Sequence, residues 1–119
     1  MNIEYYERPN GRCPVQEFIR DLPATEQVRV MKAIERLQEH GLALARPYVA
    51  TLRDEIRELR IRTPHGQYRV LHFIYYRDTI VLLHAITKKS DKVPDAAIDK
   101  AIEYKTDYEN QRRQTRTLP

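Results

Sequence analysis

Between Ile56 and Thr87 three runs rich in β-branched and aromatic residues follow one another almost without a break. Ile56 to Arg62, Tyr68 to Tyr76 and Thr79 to Thr87 are separated mainly by Thr63-Pro64-His65-Gly66 and by Arg77-Asp78. A parallel connection needs a dozen or more residues, so these short turns leave only antiparallel neighbours. A three-stranded meander is therefore the centre of the fold, and the remaining segments must cover it.

The segments before it carry different signals. Ile3-Glu4-Tyr5-Tyr6 reads as a short strand stopped by Pro9-Asn10-Gly11. Pro14 suits the first turn of a short helix through Asp21, with Val15, Phe18 and Ile19 on one face. Pro23 opens a second helix in which Val30, Met31, Ile34 and Leu37 recur at helical spacing. Glu26, Arg29, Lys32, Glu35 and Arg36 cover the rest of that helix, and Gly41 follows as a stop. Tyr48 to Leu52 is a further short strand or extended approach.

After the meander, Pro94 starts a last helix with Ala97, Ile98, Ala101 and Ile102 inward. It is expected to fray near Glu109, leaving 111–119 as a basic flexible tail behind a single domain of residues 1–110. The order β-α-α-β-β-β-β-α predicts an α+β fold, an antiparallel sheet with the helical hairpin packed on one face.

Composition narrows the functional class. The 119 residues are 41% hydrophobic and carry 21 Lys plus Arg against 17 Asp plus Glu, a net charge of +4 that favours an anionic partner. One cysteine, Cys13, excludes an internal disulfide and a cysteine-based zinc site. Cys13 precedes Pro14 at a helix start, where a lowered thiol pKa is conceivable but a plain cap residue is the expectation. Met1 to Arg8 lacks the apolar core of a signal peptide, and no apolar run approaches the roughly 20 residues a membrane helix needs. A cytoplasmic protein without membrane contact is expected.

The basic residues are not scattered evenly. Alternation along Ile56–Arg62 puts Glu58, Arg60 and Arg62 on one strand face and Leu59 and Ile61 on the other. A strand alone with that pattern reads as a solvated face with weak ion pairs. The tight turn, however, brings Arg69 beside Arg62, and the third strand exits into Lys88, Lys89 and Lys92. These charges would repel one another at one sheet end unless an anion joins them. His65 and Tyr68 add ring surfaces nearby, so the cluster has the character of a nucleic-acid phosphate site.

Other candidates are weaker. His72 and His84 lie on adjacent strands without a third ligand, and no metal or cofactor is expected. His84 is a candidate general acid or base. Tyr104 and Tyr108 stand four residues apart and form one helix stripe, which suits packing or a partner surface.

The stretch IRELRIRTPHGQYRVLHFIYYRDTIVLLHAITKKSDKVP, Ile56 to Pro94, resembles the RelE/ParE superfamily of type II toxin–antitoxin toxins, in particular its phage-derived, HigB-like branch. Glu58-Leu59-Arg60, Tyr68-Arg69-Val70-Leu71-His72-Phe73, Val81-Leu82-Leu83-His84 with Lys88-Lys89, and Lys92-Val93-Pro94 carry the likeness, together with PVQEFIRDLP near the N-terminus.

The resemblance implies a small toxin neutralised by a cognate antitoxin, of helix-turn-helix type. It also implies cleavage of messenger RNA on the ribosome without metal, by attack of a ribose 2′-hydroxyl on the scissile phosphate. Arg60, Arg69, Lys88 and Lys89 then match catalytic positions, with Arg62, Lys92, His65 and Tyr68 as RNA-binding neighbours. Many relatives place a tyrosine or histidine shortly after the basic pair, whereas Ser90-Asp91-Lys92-Val93-Pro94-Asp95 stands here. The proton-transfer residue is thus open among His84, Tyr104 and Tyr108, with Asp95 a poor substitute. The same fold also serves ParE-like gyrase inhibitors without chemistry of their own, and non-toxic nucleic-acid-binding modules.

Overall fold

A computed structural model describes residues 1–90 and 92–117, with side chains through residue 113. The elements are β1 (Asn2–Tyr5), α1 (Pro14–Arg20), α2 (Ala24–His40), β2 (Val49–Thr51), β3 (Arg57–Thr63), β4 (Gly66–Tyr75), β5 (Thr79–Thr87) and α3 (Asp95–Thr117), with a 3-10 turn at Gly41–Ala43. The α+β order read from the sequence is the order observed.

The sheet runs β1-β5-β4-β3-β2. β3, β4 and β5 form the antiparallel meander, and β2 adds three antiparallel pairs to β3. β1 departs from the expected antiparallel sheet, because it lies parallel to β5, pairing Ile3 with Ile80 and Tyr5 with Leu82. The two helices between β1 and β2 carry the chain across a sheet face, which frees β1 to run parallel at the far edge.

The helical hairpin covers one face of the sheet, as expected, and α3 covers the other. Alternation sends Leu59, Ile61, Val70, Ile80 and Leu82 toward Val15, Ile19, Val30, Ile34 and Leu37 of the α1–α2 hairpin. Leu71, Phe73, Val81 and Leu83 meet Ala97, Ile98, Ala101, Tyr104 and Tyr108 of α3. Ten-residue β4 is buried from Tyr68 through Phe73 because it is central and covered on each side. An irregularity between Leu71 and His72 shifts its register against β5.

Helix α2 ends where Gly41 adopts φ +54° and its N–H donates to the carbonyl of Leu37. A Cβ there would stand 2.5 Å from the Met1 sulfur, so the N-terminus closes over this stop. Helix α3 does not fray at Glu109. It continues through Thr117, and Arg112 reaches back to Glu4 on β1. Residues 111–117 of the expected tail are therefore helix, and 118–119 lie outside the described residues. Among the described residues no helix is long and apolar enough to cross a membrane.

Candidate functional site

β2 stops pairing with β3 at Val49 and Leu59, and one further bond, from the Arg60 N–H to the Tyr48 carbonyl, closes the edge. Beyond that point the end of β3 has no strand beside it on this edge. A cleft of about 640 Å³ opens there, between α2 and the end of the β3–β4–β5 meander.

Two elements supply its charge. From the sheet come Arg60, Arg62, Arg69 and Lys88, and from α2 come Arg29, Lys32 and Arg36. Ala33, Pro47, Tyr48, Ile61 and Gln67 complete the lining, and no carboxylate is among these residues. Register explains the sheet contribution. Arg60 pairs directly with Arg69, and Arg62 with Gln67, whose carbonyl accepts the Lys88 N–H at 2.7 Å. Side chains at paired positions share a face.

Two guanidiniums directly opposite each other repel, and Glu58 holds them together. One carboxylate oxygen accepts Arg60 Nε at 3.2 Å and Nη2 at 3.0 Å, while the other accepts Arg69 Nε at 3.1 Å. Arg69 Nη1 donates to the Tyr68 carbonyl at 3.1 Å. Glu58 and Arg69 are 4% and 5% exposed, so this face is not the solvated one expected for an isolated strand. Burial pushes the Arg69 pKa down from its ordinary value, and Glu58 opposes that shift. Three charged groups thus leave one net positive charge, fixed in direction by paired hydrogen bonds.

Arg29, Lys32, Arg36, Arg62 and Lys88 have no carboxylate partner among the described residues. They are the cations whose charge is left for a ligand.

The other residues singled out in the sequence are placed as follows. Lys89 and Lys92 are exposed after β5 and do not line the cleft, and His65 is exposed in the β3–β4 turn. Tyr68 points to the opposite face from Arg69. It is 6% exposed, edge-on to Phe18, and its hydroxyl donates to Glu26 at 2.7 Å. Its ring is no surface for a base. Glu26 also accepts the Thr63 hydroxyl, and these two bonds hold its carboxyl below the usual range while pinning the turn to α2.

His84 packs edge-on to Tyr104, and burial, with Lys100 nearby, lowers its pKa. Tyr104 stacks on Tyr6 with ring centroids 4.8 Å apart. Tyr108 sits edge-on to Phe73 and Tyr75 and donates to Glu4. All three belong to the α3 side and none lines the cleft. Cys13 caps α1 without a side-chain bond, and burial raises its thiol pKa instead of lowering it.

The cations of α2 went unassigned in the sequence, where they served only as a solvated helix face. The signal was present. Arg29, Lys32, Ala33 and Arg36 fall at i, i+3, i+4 and i+7, a single stripe whose three long side chains are all basic. No curated protein matches the chain. Residues 17–106, about three quarters of the chain, match the family described as "Phage derived protein Gp49-like", so the chain belongs to that phage-derived family, a member of the RelE-like superfamily of toxin–antitoxin toxins.

Proposed function

We propose that this protein is the toxin of a type II toxin–antitoxin pair and acts as a ribosome-dependent messenger RNA endoribonuclease. The observation that carries this reading is the cleft in which helix α2 and the end of the meander present seven cations and, among the described residues, no lining carboxylate. Such a concentration of like charge is stable only with water and small ions, or with a polyanion, between its walls.

In the proposed reaction the ribose 2′-hydroxyl gives its proton to water as its oxygen bonds to phosphorus, and the 5′-oxygen leaves and takes a proton from water. The products are a 2′,3′-cyclic phosphate and a 5′-hydroxyl. Charge accumulates on the non-bridging oxygens in the transition state, and fixed cations stabilise it more than the ground state. Arg60 and Arg69, oriented by Glu58, suit that role, and Arg62 and Lys88 in the adjoining cross-strand row suit the flanking phosphates. Lys89, Lys92 and His65 belong to the approach and not to the wall. A cognate antitoxin would offer carboxylates to the same cleft.

Arg62 and Lys88 are the test because neither holds the fold together. Inducible expression of the wild type should arrest growth with cleavage of messenger RNA inside reading frames. Arg62→Ala with Lys88→Ala should lower cleavage by about a hundredfold or more, without changing thermal stability. Unchanged cleavage would remove the cleft from the chemistry. DNA damage in place of messenger RNA loss would point to gyrase inhibition, and no growth effect to a non-toxic module.

A further inference from the structure

Tyr48 lines the cleft and is 44% exposed, so part of its ring is open to a ligand. The Arg36 guanidinium lies over its ring, 4.7 Å from the centroid. The backbone beneath the ring is fixed at both groups. The Tyr48 N–H donates to the Ala45 carbonyl at 2.9 Å, and its own carbonyl accepts the Arg60 N–H at 2.7 Å. An aromatic ring thus lines an array of cations on a backbone that has little conformational freedom left to lose on binding.

The remaining tyrosines do not offer this. Tyr6, Tyr68, Tyr104 and Tyr108 are buried, Tyr5 is half-buried on β1, and Tyr75 and Tyr76 stand at the far end of β4, away from the Gly66 end that borders the cleft. Cations on a groove wall with an exposed ring beside them form the combination that binds unpaired nucleotides, since bases stack on the ring while phosphates meet the charge. A duplex presents phosphates but hides its base faces.

We propose that Tyr48, backed by Arg36, is a stacking platform for one unpaired base, so that the cleft selects single-stranded over duplex RNA. This rests on the RNA reading above and adds to it a residue that recognises the base. Phosphates alone would be held by Arg62, Lys88 and the α2 stripe, whereas stacking discriminates by strandedness.

The experiment measures binding of the full-length protein to a short labelled single-stranded RNA and to an abasic oligomer of the same length, at one salt concentration. Tyr48→Ala should weaken the RNA complex by about tenfold and leave the abasic complex unchanged, while Tyr48→Phe should bind both as the wild type does. The platform is overturned if Tyr48→Ala binds the RNA like the wild type, or if it loses both ligands equally. It is also overturned if the wild type holds the abasic oligomer, or the same RNA annealed to its complement, as tightly as the single strand. A wild type that binds neither oligomer overturns the platform, whereas the RNA reading itself stands or falls on the cleavage assay above.

Discussion

His72 is fully buried in the centre of the sheet, and its Nδ1 lies 3.1 Å from the Val70 carbonyl. A carbonyl can only accept, so Nδ1 carries the proton and Nε2 is the bare nitrogen. Nε2 has no partner among the described residues, and neither has Nη1 of Arg57, the residue paired with His72 across the strands. Burial, aggravated by Arg57, lowers the His72 pKa from 6.5 to about 4. The unfolded chain therefore binds the proton more readily than the folded one. Stability from this group is complete above the unfolded value and is lost as pH falls from about 6.5 to about 4, by at most about 3 kcal/mol. The urea midpoint should drop between pH 7 and pH 5, and His72→Leu should flatten that drop. Equal acid sensitivity in the two proteins would mean that another group titrates.

At the scale of elements, the cleft exists because a short strand and a long helix fail to close on each other. β2 spans three residues, while α2 runs for seventeen along the same side. The unmatched length of α2 is where Arg29, Lys32 and Arg36 face the end of β3. If α2 is a true wall of an RNA site, its stripe releases counterions on binding. Replacing Arg29, Lys32 and Arg36 together by alanine should then reduce the slope of log K against log salt by up to about 2, at roughly 0.7 per phosphate contact. A slope that does not change would confine binding to the sheet.

At the scale of the whole molecule, the two faces of the sheet have different tasks. The α1–α2 side supplies half of the cleft and buries the first cluster of apolar residues. The α3 side of the sheet carries Glu58, Arg60 and Arg69 and packs Tyr104 and Tyr108 among Tyr6, Phe73 and Tyr75. Each large aromatic removed from a core costs about 3–5 kcal/mol, and a domain holds about 5–15 kcal/mol in total. A chain ending at Ile102 should therefore bind a hydrophobic dye and lose its cooperative thermal transition. A folded truncation would show that α3 is dispensable for the core.

Much of this was legible locally. Turn lengths dictate the β3–β4–β5 meander, and helical spacing of Val30, Ile34 and Leu37 dictates α2 and its buried face. Alternation puts Arg60 and Arg62 on one face and the short turn brings Arg69 to the same sheet end, where the register sets it opposite Arg60 and not beside Arg62. These features depend on periods of two and 3.6 residues, which any short stretch displays. Other features depend on which element a face meets, and no local period encodes that. Only the assembled fold brought β1 parallel to β5, put helices on both faces, and turned Tyr68 away from the arginines toward Glu26. It also buried Glu58 between two guanidiniums and set the α2 stripe opposite them. In the β3–β4 hairpin the sequence determined that the arginines share a face. The tertiary structure decided which of them is locked to a carboxylate and which remain open to a ligand, because burial and pairing are properties of neighbours distant along the chain.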